Sequence, residues 1–220
     1  MKIVCVIPAY NEEKNITKVV SDVLPYVGEA IVIDDHSHDK TSPLATAAGA
    51  TVLRHIINRG QGASLQTGNE YALKNGADII VHFDADDQFL AKEIPDMVKP
   101  IIEGRADIVF GSRFLGKETN FPFSKKYIIM PLAQLFSRTF LGVKLSDPQN
   151  GFRAMSRKAA ENITIDNRQM AHASEIQVKA FKQKLKIAEV PITVIYHHFG
   201  QKLSGGFIVI RDLLISKIIK

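Results

Sequence analysis

Cysteine is almost absent: Cys5 stands alone, so no intramolecular disulfide can form, and its place in the apolar run Ile3-Val4-Cys5-Val6-Ile7 reads as a buried small hydrophobe. A disulfide-stapled scaffold is excluded, and a reducing, cytoplasmic setting is the expectation. Also missing is any uninterrupted apolar stretch near the ~20 residues that cross a bilayer. The longest uncharged run near the middle, residues 127–137, is too short and is flanked by Lys126 and Arg138. No secretory leader is expected, because Lys2 leads straight into a strand-like run without a small-residue cleavage site. There is no internal repeat, no low-complexity tract and no P-loop. The glycine pair in Gly60-Gln61-Gly62 lacks the third glycine of a dinucleotide fingerprint, because Leu65 stands in its place. Repeat architectures, P-loop NTPases and dinucleotide-binding dehydrogenases are therefore set aside.

What remains is an ordinary globular balance. With 220 residues, 45% hydrophobic and 23% charged, the chain can bury one sizeable core. The formal net charge of +5 favours anionic partners such as phosphates or an acidic membrane surface, although a mild lysine excess is by itself only a solvated surface. No nucleic-acid partner is expected. Strand-like runs over residues 2–8, 30–34, 51–54, 78–83 and 106–110 alternate with helix-like segments over 12–26, 39–48, 62–74 and 92–103. Such alternation with continuous apolar strands predicts a single α/β domain with a mainly parallel sheet and helices on both faces. After Gly111 the pattern loosens. Residues 116–126 have loop composition, 127–141 an apolar helical look, 151–155 a short strand, 173–184 a helix and 186–195 a strand. The closing segment is basic and amphipathic.

In an open α/β sheet, ligands bind beyond the carboxyl ends of the strands. Three polar clusters fall there: Pro8-Ala9-Tyr10-Asn11-Glu12-Glu13, Asp34-Asp35 and Asp84-Ala85-Asp86-Asp87-Gln88. Each alone has a bland reading as helix cap or turn chemistry; three at one edge are harder to dismiss. In the last cluster, Asp84 and Asp86 followed by the Gln88 amide oxygen offer hard ligands for Mg²⁺ or Mn²⁺. The repulsion among adjacent aspartates is relieved by a cation.

These clusters, extended by Val32-Ile33-Asp34-Asp35-x-Ser37-x-Asp39-x-Thr41 and followed in order by Gly111-Ser112-Arg113, Asp147-Pro148-x-Asn150-Gly151-Phe152-Arg153 and Glu189-Val190-Pro191-Ile192, resemble the motifs of family 2 glycosyltransferases. Within that family the chain is most similar to the dolichyl-phosphate mannose synthase and polyprenyl-phosphate glycosyltransferase branch. The resemblance implies a GT-A, Rossmann-like nucleotide-sugar-binding domain over residues 1–206, followed by a membrane-interfacial segment over 207–220. It implies inverting transfer of a hexose from a nucleotide-diphosphate sugar to a polyprenyl (dolichyl or undecaprenyl) phosphate, with Mg²⁺ or Mn²⁺ as cofactor, at the cytoplasmic face of a membrane. Pro8, Tyr10 and Glu12 would line the nucleotide pocket and Asp35 would contact the base. Asp84 would lie near ribose and metal, while Asp86 and Gln88 would be the direct metal ligands. Arg113 and Arg153 would bind phosphate, and Glu175 would stand near the acceptor.

The chain departs from the family pattern at His36, where glycine is usual, and at Gln61, where lysine is common. Lys125 and Lys126 stand where arginines are frequent, and His197 and His198 replace a charged residue. A phosphate acceptor is already ionised near neutral pH, whereas an alcohol would need a base, for which Asp147 or Glu175 are the candidates. Two other readings are a family 2 transferase acting on a glycan hydroxyl and a nucleotide-sugar-binding protein without turnover.

Overall fold

The computed structural model describes residues 1–116, 145–148, 150–167 and 171–195. Lys125, Lys126, His197, His198 and the segments expected over 127–141 and 207–220 lie outside them. Seven strands form one sheet: β1 (Ile3–Ala9), β2 (Glu29–Asp34), β3 (Thr51–Arg54), β4 (Ile79–His82), β5 (Ile108–Ser112), β6 (Arg153–Ser156) and β7 (Ile187–Pro191). Their order across the sheet is β3-β2-β1-β4-β6-β5-β7. All neighbours are parallel except β6, which runs antiparallel between β4 and β5.

Strand side chains alternate between two cores. Cys5, Ile7 and Ala9 of β1 face one cluster with the apolar stripes of α1 (Ile16–Val23), α2 (Thr41–Ala47) and α4 (Ile94–Ile102). Val4 and Val6 face the other, with α3 (Gln61–Lys74), α5 (Arg157–Asn162) and α6 (His172–Lys182). Helices therefore cover both faces, as the strand-helix alternation predicts. Cys5 is fully enclosed, and burial pushes its thiol well above the ordinary range. Helix α3 lies hard against β1: a Cβ on Gly68 would meet Val6 Cγ1 at 2.2 Å. That close approach packs the middle of α3 onto the middle of β1.

Several element ends differ from the sequence reading. Helix α1 begins at Ile16 rather than residue 12, because residues 10–15 are drawn into a turn against the second strand's loop. Strand β7 stops at Pro191, and the chain then touches the 83–90 segment through a single bridge between Phe89 and Val194. The short helix α5 was not anticipated; its signal is Ser156, whose hydroxyl caps it by accepting from Ala159 N at 3.2 Å. Among the described residues no helix is long and apolar enough to cross a membrane.

Candidate functional site

The carboxyl ends of β1, β2 and β4 all turn through left-handed backbone at non-glycine residues: Asn11 (φ 57°), His36 (φ 68°) and Asp87 (φ 58°). Such conformations are sparsely populated and persist where neighbours over-determine them. Here the neighbours are visible. Asn11 N donates to Ser37 Oγ at 2.9 Å, His38 N to Asn11 Oδ1 at 2.9 Å, Glu12 N to Thr41 Oγ1 at 2.8 Å and Glu13 N to Asp39 Oδ2 at 3.1 Å. The Ser37-x-Asp39-x-Thr41 spacing thus zips the second loop onto the first. His36 keeps the left-handed turn that a glycine would adopt freely, so its departure from the family pattern leaves the turn in place.

Of the residues expected around a nucleotide, Pro8 ends buried in β1 and Tyr10 projects outward at 46% exposure. Glu12 is half-buried and accepts from Asn15 Nδ2 at 2.9 Å; burial raises its carboxyl despite that bond, and Asp86 and Asp39 add repulsion. Asp35 is buried at the carboxyl end of β2. Its carboxylate accepts from Arg59 N at 2.8 Å and Gly60 N at 2.7 Å, and faces His55 Nδ1 at 2.7 Å. His55 Nε2 in turn lies 3.0 Å from Thr67 Oγ1. Asp35 therefore holds the start of α3, a role the sequence did not indicate. His55, just after β3, belongs to none of the sequence motifs; its signal is a polar side chain that follows the third strand.

Asp84 and Asp86 follow β4, both partly accessible. Gln61, the first residue of α3, donates from Nε2 to Asp84 Oδ1 at 2.9 Å. Burial and then the charge of Asp86, with a smaller contribution from Glu12, push the Asp84 carboxyl up to about 7, against the opposing pull of Arg153 and the Gln61 bond. The crowding is by protein atoms, since part of the residue still reaches solvent. Asp86 Oδ1 accepts from Gln88 N at 3.2 Å, and Asp87 Oδ1 lies 2.7 Å from Lys18 Nζ. Among the described residues no group of three or more histidine, cysteine or carboxylate side chains encircles a common point. The donor set suits a cation that takes one or two carboxylates and completes its shell with substrate oxygens and water, as Mg²⁺ does. Asp84 and Asp86, which repel one another and Glu12, fit such a cation.

The two arginines occupy different environments. Arg113 grips Asp147 as a fork, Nε to Oδ2 at 2.6 Å and Nη2 to Oδ1 at 2.7 Å, with its backbone N 3.2 Å from Oδ2. Arg153 is wholly enclosed; Nη2 donates to Asn150 O at 2.7 Å, while Nε and Nη1 have no partner among the described residues. Burial lowers its pKa to about 10 and Asp84 pulls it back up. It lies opposite His82 across the β4–β6 pairing, and burial followed by the Arg153 charge holds that imidazole well below its ordinary range. Glu175 receives Asp166 N at 3.1 Å and Asn167 N at 2.8 Å, and pairs with Lys179 Nζ at 2.8 Å. The structure thus brings Glu12, Gln61, Asp84, Asp86 and Arg153 into one electrostatic neighbourhood, and ties Asp35, Asp147 and Glu175 into its supports.

Comparison with known proteins gives this geometry a context. The model of the glycosyl transferase family 2 matches residues 4–164. A UDP-N-acetylglucosamine–dolichyl-phosphate N-acetylglucosaminyltransferase of Methanococcus voltae is 32% identical, over 97% of this chain and 95% of its own. A polyprenol monophosphomannose synthase of Mycolicibacterium smegmatis is 30% identical, over 91% of this chain and 80% of its own. The fold is shared with glucosyl-3-phosphoglycerate synthase of Mycobacterium tuberculosis, solved with Mn²⁺ and UDP-glucose, at a TM-score of 0.76, 24% identity and coverage of 97% of this chain and 76% of that one.

Proposed function

The chain belongs to glycosyl transferase family 2, and from that premise we propose that it moves a hexose, with inversion, from a nucleotide-diphosphate sugar to the phosphate of a polyprenyl lipid. The printed activities of the relatives from Methanococcus and Mycolicibacterium, both over nine tenths of this chain, support that substrate pair. The observation that carries the acceptor assignment is the state of the two carboxylates an alcohol acceptor would need as base. Asp147 is 1% exposed and held by the Arg113 fork and by Asn150 Nδ2 at 3.3 Å. Glu175 is held by two backbone N–H groups and Lys179. Both carboxylates are engaged in contacts that hold the fold, so an acceptor that arrives already ionised suits the site better.

Asp84 and Asp86, with the Gln88 amide oxygen, are the residues that would hold a divalent cation, Mg²⁺ or Mn²⁺, which supplies positive charge to the departing diphosphate. The chain's own residues do the rest. The zipped turn of Pro8, Tyr10 and Glu12 lines the donor pocket, and Asp35 fixes its far wall by anchoring the start of α3. Arg153 stands behind Asp84 as a buried cation with two donor nitrogens that have no partner among the described residues. Arg113 acts through Asp147, which also holds the Asn150 amide. An ionised phosphate oxygen attacks the anomeric carbon from the face opposite the diphosphate, through an oxocarbenium-like transition state. A peripheral position at the cytoplasmic face of a membrane follows from such an acceptor.

The test is product analysis. Purified protein incubated with a panel of labelled nucleotide-sugars and a polyprenyl phosphate should yield a labelled sugar phospholipid with one of them. A labelled glycan formed in preference, or no product with any donor, would defeat the assignment.

A further inference from the structure

Strand β4 pairs with β6 so that Ile80 lies opposite Met155 and His82 opposite Arg153. Extending that register by two residues sets Asp84 against Gly151. The local geometry agrees. A Cβ on Gly151 would fall 2.4 Å from Asp84 Oδ2, 3.1 Å from its Cγ and 3.3 Å from Oδ1. The whole carboxylate lies across the volume that any side chain at 151 would fill. Gly151 is not among the residues with left-handed backbone, so its conformation is open to alanine, and what a side chain there would displace is the Asp84 carboxylate. On the opposite side, Gln61 Nε2 meets Oδ1 at 2.9 Å.

We propose that Gly151 is a positioning residue of the donor site: its missing side chain forms the seat in which the Asp84 carboxylate lies, and Gln61 closes that seat from the start of α3. The inference rests on the reading of Asp84 as a donor-site ligand. Its physical content is that Asp84 needs walls. The carboxylate stands in the field of Asp86 and Glu12, both of which repel it, and an aspartate on a loop would rotate away from them. The floor at Gly151 and the amide of Gln61 leave it one orientation, set by strand β6 and helix α3 rather than by the Asp84 loop. Residues around a metal ligand that fix its direction commonly carry tenfold or larger effects on metal affinity without touching the metal.

The experiment is a stability and binding cycle on the full chain, comparing wild type, Gly151→Ala, Asp84→Ala and the double variant. With Asp84 present, Gly151→Ala should lower Tm by several degrees, because the added methyl collides with the carboxylate. With Asp84→Ala the collision is gone, and Gly151→Ala should leave Tm unchanged or raise it, as glycine-to-alanine changes do at compatible backbone positions. Binding of Mn²⁺ alone, read from the paramagnetic resonance of the free ion, should weaken about tenfold or more in Gly151→Ala and in Gln61→Leu. A fall in Tm of equal size in both backgrounds would overturn the proposal, as would Mn²⁺ affinity left unchanged by both Gly151→Ala and Gln61→Leu. Failure of the transfer reading would show separately, as a wild type that transfers sugar to no acceptor; the Tm cycle does not depend on it.

Discussion

At the scale of single residues, the site is built from charges whose partners decide what each can do. Arg113 and Arg153 look alike in the sequence, each in a short polar motif after an apolar run. In the fold one is a clamp and the other an enclosed cation. Removing Arg113 leaves Asp147 buried and uncompensated, so Arg113→Ala should lose about 3 kcal/mol of stability, the range for breaking a buried pair from one side. Urea denaturation monitored by circular dichroism measures this, and an unchanged midpoint would mean the ion pair is not formed in solution. Asp86→Ala should behave in the opposite way: partly accessible and outside both cores, it should abolish most transfer while leaving the denaturation midpoint near wild type. Excess chelator should mimic that variant, and added Mg²⁺ or Mn²⁺ should reverse the chelator, because the ligands are hard oxygens.

At the scale of elements, the α/β alternation could be read because buried parallel strands are continuous apolar runs and the covering helices carry one apolar stripe each. The three acidic and polar clusters could be read because they interrupt those runs at one edge. What the sequence did not disclose depends on chain segments far apart. Asp35 also accepts from Arg59 N and Gly60 N, 24 and 25 residues later, contacts with no local signature in the sequence. Gly151 reads as the first residue of a short strand, and only the antiparallel pairing of β6 places it under Asp84. The reversal of β6 itself has no local signature, since a strand's direction is set by what it pairs with. The anchoring of α3 by Asp35 makes a prediction at this scale. Asp35→Ala should speed hydrogen exchange at the Arg59 and Gly60 amides, and should raise KM for the nucleotide-sugar more than it lowers kcat, since the reacting carbon is remote from the anchor. A normal donor KM with a collapsed kcat would place Asp35 in the chemistry instead.

At the scale of the whole molecule, a sheet with both faces covered leaves its carboxyl edge as the place where substrates meet, and the family relationship says that what meets there is a nucleotide-sugar and an acceptor. The net charge of +5 should favour vesicles containing anionic lipid over neutral ones, with binding lost as salt screens the attraction; co-sedimentation at low and high ionic strength reads this directly. On the proposed function the acceptor's nucleophile is a phosphate oxygen, because Asp147 and Glu175, the carboxylates that could activate an alcohol, are engaged in holding the fold. The most direct measurement is the initial rate of sugar transfer from the preferred donor to a polyprenyl phosphate and to the same polyprenol without its phosphate, under identical conditions. Transfer to the phosphate is expected, with none above background to the alcohol. Equal or faster transfer to the alcohol would contradict that expectation.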